Sequence, residues 1–351
     1  MVKITFTQLT PTSDPKHGYP CARSSHGLSI VQNGTRLILH GGENIARTPL
    51  EDKDATWAAD LNQDNGIWQW RRIDVNEAPP ARLAHAQADH NDCVYIFGGR
   101  AGITMDEKAM NDLWKLDASG GKGSETWSLV EPSDSSGPPP EPRSFHRMIC
   151  VGDSLYVFGG CGASGRLADF YRFDLGDKTW HNLGASTLRG RGGANLLSLS
   201  SNSILAVVAG FAGEETADGQ SFDIGKNQWN GQLLDESLKG MRPRSVCISA
   251  SFPSVGYSII FGGEVDPSER GHEGAGGFEN DVVVLKEDSG KYVETIKAST
   301  AGPWPEQRGW SDGAFVDNGE NTGQLFIFGG LSGDDVNPKR LNDLWRMDIQ
   351  T

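Results

Sequence analysis

The sequence predicts an all-β protein folded as a six-bladed propeller, with four antiparallel strands in each blade. Six hydrophobic strands end in a pair of small residues, an arginine precedes each of these strands, and an aromatic residue recurs near the end of the repeats. The first residues of successive pairs lie 57, 61, 50, 53 and 67 positions apart, and a repeat of about fifty residues is typical of propeller arrays. The pairs are Gly41/Gly42, Gly98/Gly99, Gly159/Gly160, Ala209/Gly210, Gly262/Gly263 and Gly329/Gly330.

The pattern within a repeat indicates four strands. The second strand is an unbroken apolar run, which predicts burial on both of its faces, and the glycines after it allow a sharp turn. A polar loop and a third strand follow, as in residues 111–117 and 342–348. The fourth strand carries an aromatic side chain that we expect to cover the gap between blades; these are Trp68, Trp70, Trp127, Trp180, Trp229 and, in the fifth repeat, Tyr292.

The two ends of the chain predict how the ring closes. The sixth repeat stops after its third strand, while residues 3–9 alternate apolar and polar side chains outside any repeat. We therefore place this first strand on the outside of the last blade, with Phe6 in the position of the tryptophan. Closure of this kind removes the exposed sheet edge, and it makes residues 1–351 one propeller domain.

Composition and motifs exclude several classes of function. The formal net charge of −14 argues against a general affinity for nucleic acid or anionic membranes. The amino terminus lacks a signal-peptide core, no apolar run could span a bilayer, and five scattered cysteines fit a reducing compartment, so we expect a cytoplasmic protein. Gly-x-Ser-x-Gly, P-loop and zinc-type cysteine motifs are absent, and neither a nucleotide nor a haem is expected.

Connectivity places the recurring arginines on one face of the propeller. In a four-stranded antiparallel blade, the loop after the second strand and the turn into the first strand lie at the same end. Guanidinium groups there suit sulfate, carboxylate or phosphate, and Trp310 could stack on a planar ligand. We therefore expect an anionic small-molecule substrate to bind Trp310 and the arginines Arg23, Arg82, Arg143, Arg191, Arg244 and Arg308. The alternative is structural: each arginine pairs with an acidic residue of the neighbouring blade, and Trp310 packs between blades.

The loop after the fifth glycine pair is a candidate metal site. Glu264, Asp266, Glu269 and His272 lie within nine residues of a glycine-rich segment. Oxygen ligands with one imidazole suit Fe(II) or Mn(II) and leave positions open for a substrate. A solvated polar loop would have the same composition, so this alternative stays open.

Resemblances to two known families make these expectations more specific. The repeat resembles the Kelch repeat over essentially the whole chain, and the segment from Phe261 to Gly276 is similar to the plant specifier proteins, namely the epithiospecifier, nitrile-specifier and thiocyanate-forming proteins. That family acts with Fe(II) on glucosinolate aglucones, and its iron ligands follow the pattern Glu-x3-Asp-x3-His. The resemblance implies that Glu264 and His272 are ligands and catalytic residues. Ser268 stands in place of the aspartate, so Asp266 or Glu269 would complete the set.

Two hypotheses of function follow. In the first, the chain is a lyase- or isomerase-like enzyme that uses Fe(II) to rearrange or fragment an anionic, sulfur-containing substrate. A lone propeller favours this hypothesis, as do Glu264 and His272, which match the specifier pattern at both ends of the loop. In the alternative, it is a non-catalytic interaction module. Many Kelch propellers bind peptides on this loop face, and the arginines would then recognise an acidic peptide or protein partner.

Overall fold

The computed structural model describes residues 2–75, 77–102 and 109–351, apart from the side chains of Asp52, Lys53 and His272. Nearly all its regular elements are strands. In the first half of the chain they are β1 (Lys3–Leu9), β2 (Gly27–Val31), β3 (Arg36–His40), β4 (Glu43–Ile45), β5 (Thr48–Pro49), the short helix α1 (Asp52–Ala55), β6 (Thr56–Asn62), β7 (Ile67–Arg72), β8 (Ala86–His90), β9 (Cys93–Phe97), β10 (Leu113–Asp117), β11 (Thr126–Leu129), β12 (Arg147–Val151), β13 (Ser154–Gly162), β14 (Gly165–Asp174) and β15 (Thr179–Ala185).

The second half of the chain continues the same alternation. Its elements are β16 (Asn195–Leu199), β17 (Ile204–Phe211), β18 (Glu215–Asp223), β19 (Gln228–Leu233), β20 (Ile248–Phe252), β21 (Tyr257–Phe261), β22 (Glu264–Asp266), a 3-10 turn (Gly271–Glu273), β23 (Gly277–Phe278), β24 (Val282–Lys286), β25 (Tyr292–Ile296), β26 (Asp312–Gly319), β27 (Thr322–Gly333) and β28 (Pro338–Gln350).

The strands form six four-stranded antiparallel sheets, one for each repeat, which confirms the predicted propeller. From the inside outwards, blades 1 to 5 are β2-β3-β6-β7, β8-β9-β10-β11, β12-β13-β14-β15, β16-β17-β18-β19 and β20-β21-β24-β25. Blade 6 is β26-β27-β28-β1, so the first strand closes the last blade in the predicted way, with Phe6 opposite Met347. The inner strands β2, β8, β12, β16, β20 and β26 are neighbours around a complete ring.

Apolar packing between blades follows the predicted pattern. The second strands β3, β9 and β21 are buried almost throughout, because a sheet lies against each of their faces. Outer aromatic rings pack onto the second strand of the preceding blade: the ring centroids of Trp180 and Phe97 lie 5.1 Å apart, and those of Phe6 and Phe261 lie 5.4 Å apart. The same contact joins Trp70 to Phe328, Trp127 to His40 and Trp229 to Phe158.

A closed ring of backbone hydrogen bonds surrounds one end of the central channel. In each blade, the residue two positions after the recurring arginine donates its N–H to the carbonyl of its counterpart in the neighbouring blade, at N–O distances from 2.7 to 3.0 Å. All six residues have left-handed backbone conformations, with φ between 47° and 59°. They are Ser25, Ala84, Phe145, Gly193, Val246 and Trp310.

Candidate functional site

The face that surrounds this ring is the upper face, built from the loops after the second strands and the turns into the first strands. The residue after each glycine pair forms a β-bridge with the residue after the arginine. Ser24 pairs with Glu43, and Ser245 pairs with Glu264. These bridges confirm that the two sets of loops share one end of the propeller. The turns between first and second strands and between third and fourth strands form the lower face.

The recurring arginines lie just beneath the upper face, and their side chains are 0–1% exposed. Arg82 donates from its two terminal nitrogens to the two carboxylate oxygens of Asp112, each at 2.8 Å, and to the carbonyl of Gly98 at 2.9 Å. Four further pairs repeat this double hydrogen bond, namely Arg143 with Asp169, Arg191 with Asp218, Arg244 with Asp281 and Arg308 with Asp343.

The aspartate partner belongs to the same blade as the arginine, which differs from the neighbouring-blade pairing considered above. Burial raises the pKa of Asp112, but the hydrogen bonds and charge of Arg82 outweigh it and hold that pKa below its usual value. Blade 1 has Ala55 in the aspartate position, and Arg23 there donates to the carbonyls of Gly41 and Asp54, both at 3.0 Å. The guanidinium groups thus connect the third strand of each blade to the turn at its glycine pair.

The buried carboxyl group of Glu264 lies in the loop that was predicted to bind metal. Its backbone pairs with Ser245 of the same blade and with Phe278 in β23. Burial raises the pKa of Glu264 to about 7, while hydrogen bonds from Ser268, Trp310 and Gly276 act in the opposite direction. A neighbouring carboxyl group, that of Glu215, accepts a hydrogen bond from the Ser245 hydroxyl at 3.2 Å, and burial raises its pKa to about 8.

The other predicted ligands are engaged separately. Asp266 is exposed and pairs with Arg242 at 3.1 Å, the hydroxyl of Ser268 bonds to Asp335, and the backbone N–H of Glu269 also donates to Asp335, at 3.1 Å. The side chain of His272 lies outside the described residues. Among the side chains that are described, no group of three His, Cys, Asp or Glu is arranged to hold a metal ion. The described side chains of Asp266 and Ser268 are thus engaged by other groups, and Fe(II) binding stays a prediction.

Trp310 belongs to the ring that closes the channel at the upper face. Its indole lies edge-on to Phe145, with ring centroids 5.4 Å apart and an interplanar angle of 86°. It also packs against the apolar cluster of Ala275, Phe278 and Leu331. The ring residues therefore carry two aromatic side chains at the centre of the upper face, which close the channel there.

A basic–aromatic cluster, consisting of Arg100, Phe145, Arg166 and Phe211, extends from this centre across blades 2 to 4. The guanidinium carbon of Arg166 lies 4.5 Å from the ring centroid of Phe211, and that of Arg100 lies 5.8 Å from the centroid of Phe145. Both cations lower the pKa of the Cys161 thiol, although burial outweighs them and raises it. The guanidinium groups of Arg100 and Arg166 therefore both lie close enough to Cys161 to influence its thiol.

Within the described part of the chain, neither arginine of this cluster forms an ion pair with a carboxylate. Two exposed cations of the upper face, Arg189 and Arg242, do form such pairs. Arg189 lies 2.9 Å from Glu214, and Arg242 lies 2.7 Å from Glu279. The cluster therefore keeps positive charge available in a chain whose formal net charge is −14. Sequence analysis missed it, because Arg100 and Arg166 follow different glycine pairs and no spacing relates them.

Two hairpins with apolar tips stand on the same face. The hairpin of β4 and β5 in blade 1 exposes 69% of Ile45, and the turn between β27 and β28 in blade 6 exposes 81% of Val336. Arg340 joins the two blades, because its guanidinium group lies 3.5 Å from the carboxylate of Glu43 and also bonds to Ser24. The upper face thus offers exposed apolar contacts as well as positive charge.

Comparisons with known proteins agree with this architecture. A family model described as the KLHDC2/KLHL20/DRC7 Kelch-repeats domain matches residues 4–134 and 101–263. The chain is 30% identical over 252 residues to Adagio-like protein 3 of Oryza sativa subsp. japonica, covering 68% of this chain and 37% of that protein. It is 26% identical over 262 residues to an F-box/kelch-repeat protein of Arabidopsis thaliana, covering 70% of this chain and 51% of that protein. The chain thus spans about a third to a half of the length of these relatives.

One solved structure covers nearly the full length of both chains. The structure of YjhT superposes with a TM-score of 0.65 at 15% sequence identity, over 98% of this chain and 99% of that one. At this identity the likeness shows the fold alone. Within the described residues, no helix is both long and apolar enough to cross a membrane.

Proposed function

Because the chain belongs to the Kelch-repeat family, we propose that it is a non-catalytic interaction module that binds an acidic segment of a protein partner on its upper face. The observation that carries this proposal is the basic–aromatic cluster. Arg100 and Arg166 lie over aromatic rings of that face and have no carboxylate partner among the described residues. This arrangement and the Kelch-repeat relatives favour the interaction hypothesis over the specifier-type enzyme.

The side chains of the basic–aromatic cluster indicate which kind of segment would bind there. A guanidinium group binds a carboxylate through two parallel hydrogen bonds, and arginines and aromatic side chains dominate the binding energy of many interfaces. The segment that fits carries Asp or Glu side chains spaced to reach both Arg100 and Arg166. An apolar side chain between them would pack on Phe145 or Phe211. Ile45 and Val336 add apolar contact area at the rim.

The overall charge of the chain gives the cluster a second role. A protein with a net charge of −14 repels an acidic partner at long range, so productive encounters must be directed to the positive region of the surface. Electrostatic complementarity of this kind acts mainly on the association rate and on the choice of partner. Salt would screen both effects beyond about 10 Å.

Charge reversal tests the proposal. A partner captured by the native chain from extracts of its source organism is purified, and its affinity is measured for the native chain and for the Arg100→Glu/Arg166→Glu variant. We expect the double variant to bind at least about tenfold more weakly, equivalent to about 1.4 kcal/mol. Added salt should reduce the difference in affinity between the native chain and the double variant.

Lys226→Glu is the matched control. This lysine is exposed in the turn between β18 and β19 on the lower face, where it pairs with Asp223 at 2.7 Å. The control changes net charge in the same direction and should retain the native affinity. Equal affinities for the native chain and the double variant would contradict the proposal, as would a partner whose binding segment is basic.

A further inference from the structure

The central channel contains a cavity of about 430 Å³, which is separate from the upper face. Its wall is made from the inner strands of the six blades, and at its lower end Asn202, Pro253 and Asp317 line it. A volume of this size lies within the range of about 300–1,000 Å³ that is usual for small-molecule sites. The cavity is therefore large enough for a compact organic ligand.

An ion pair across the channel closes the upper end of this cavity. Arg147 of β12 and Asp312 of β26 project from opposite blades, and their charged atoms lie 3.5 Å apart. Arg147 also donates to the carbonyls of Ala194 and Cys247, and Asp312 accepts the N–H of Leu28 at 3.0 Å. These two charges therefore neutralise each other, and their contacts fix them in place.

Asp89 of β8 is one of two carboxylates of the cavity wall that form no ion pair among the described residues; the other is Asp317 at the lower end, which accepts hydrogen bonds from Ser254. Asp89 is exposed where it lines the cavity, and the protein around it raises the pKa of its carboxyl group to about 7, although the neighbouring backbone of Ile30 acts to lower that pKa. A carboxylate in such surroundings gains from an opposite charge placed beside it.

The wall is mostly polar and also contains apolar side chains. Ala88 and Met148 line the cavity beside Asp89, and Phe315 on the opposite side is 44% exposed. An aromatic ring attracts an organic cation through its face, most strongly where water is excluded. Charge and apolar surface are thus present in one enclosed space.

We propose that this cavity binds a small organic cation, with the positive nitrogen beside Asp89 and the apolar part between Met148 and Phe315. The site is independent of the upper face, because Arg147, Asp312 and the backbone ring lie between them. The class that fits is a compact ammonium compound that carries an apolar or aromatic group. An anion of the same size would meet the carboxylate of Asp89, and a neutral molecule would leave it without a counter-ion.

Phenyltrimethylammonium is a suitable probe because its charge does not depend on pH. Its binding to the full chain is measured by isothermal titration calorimetry at pH 8.5, where Asp89 with a pKa of about 7 is mostly ionised. Benzyl alcohol and benzoate serve as the neutral and anionic comparisons. We expect saturable one-to-one binding of the cation and at least tenfold weaker binding of both comparisons.

Three substitutions locate the site. Asp89→Asn should weaken binding of the cation at least tenfold, and Ser249→Phe, which fills the cavity from β20, should abolish it. Asp177→Asn, on an exposed turn of blade 3, should have no effect. The Arg100→Glu/Arg166→Glu variant should also bind the cation normally, so failure here is distinguishable from failure of the proposed function. Absence of saturable binding at millimolar concentration would overturn the proposal, as would native affinity in a folded Asp89→Asn variant.

Discussion

Single residues around the channel hold a backbone conformation that most side chains disfavour. Val246, Phe145 and Trp310 are bulky, yet each has a positive φ because the closed ring of hydrogen bonds requires it. The left-handed conformation costs about 1–2 kcal/mol for a residue other than glycine. Blade 4 carries Gly193 at the equivalent position, so the ring accepts glycine without a change of geometry.

This comparison predicts opposite effects of two substitutions. Ala84→Gly should raise the free energy of unfolding by about 0.5–1 kcal/mol, because relief of the strained φ exceeds the added entropy of the unfolded chain. Gly193→Ala should lower it, since the new Cβ would lie 2.6 Å from a methyl group of Val246. Denaturant unfolding of both variants checks the prediction. A loss of stability in Ala84→Gly would contradict it.

The raised pKa of Glu215 predicts how the free energy of unfolding depends on pH. This pKa is raised from 4.5 to about 8, chiefly by burial and then by the charges of Glu264 and Asp266. The folded state therefore binds this proton more tightly than the unfolded state, and its contribution to stability is lost as pH rises from about 5 to 9. Glu215→Gln should lose less stability than the native chain over this range. Unfolding curves at pH 5, 7 and 9 measure the difference, and identical pH dependence would disprove the assignment.

At the scale of the elements, the buried arginines explain how each blade keeps its loop face in register. The arginine before the first strand joins the glycine turn after the second strand to the aspartate that opens the third strand. Three segments that lie far apart in the sequence thus meet in one contact. Arg244 and Asp281 are the most deeply buried of these pairs, with both side chains 1% exposed and 2.7 Å between their charged atoms.

Breaking this pair should therefore be costly. Asp281→Asn removes the carboxylate but leaves the guanidinium of Arg244 buried, which should lower the free energy of unfolding by about 3–5 kcal/mol. Asp74→Asn is the matched control, since Asp74 is 54% exposed where it pairs with Arg72, and exposed pairs contribute at most about 1 kcal/mol. Equal losses in the two variants, measured by denaturant unfolding, would show that the buried pair has no special role.

The strands, their order and the closure of the ring could be predicted from the sequence, because each depends on local patterns that recur six times. The recurring arginines were also placed at the correct end. Their side-chain direction was not predictable, because it depends on the aspartate that the third strand brings beneath each turn. The basic–aromatic cluster was missed for a related reason: Arg100 and Arg166 become neighbours only through the packing of blades 2 and 3.

At the scale of the whole molecule, a local pair of positive charges on the upper face contrasts with the negative net charge of the chain. The chain carries a net charge of −14, while the upper face presents the guanidinium groups of Arg100 and Arg166 beside aromatic rings. Self-repulsion keeps such a protein soluble, and a local region of opposite charge selects what binds. We therefore propose the upper face as the site of an acidic partner, and the channel cavity, with Asp89 in its wall, as the site of a cation.

Selection from a displayed library of random peptides tests the role of the upper face and needs no purified partner. It is carried out in parallel on the native chain, the Arg100→Glu/Arg166→Glu variant and the Lys226→Glu control. The peptides recovered on the native chain and on the control should be enriched in Asp and Glu next to an apolar or aromatic residue. The double variant should lose this enrichment. Recovery of neutral or basic peptides on the native chain, or the same acidic peptides on the double variant, would contradict an acidic-segment site at the basic–aromatic cluster.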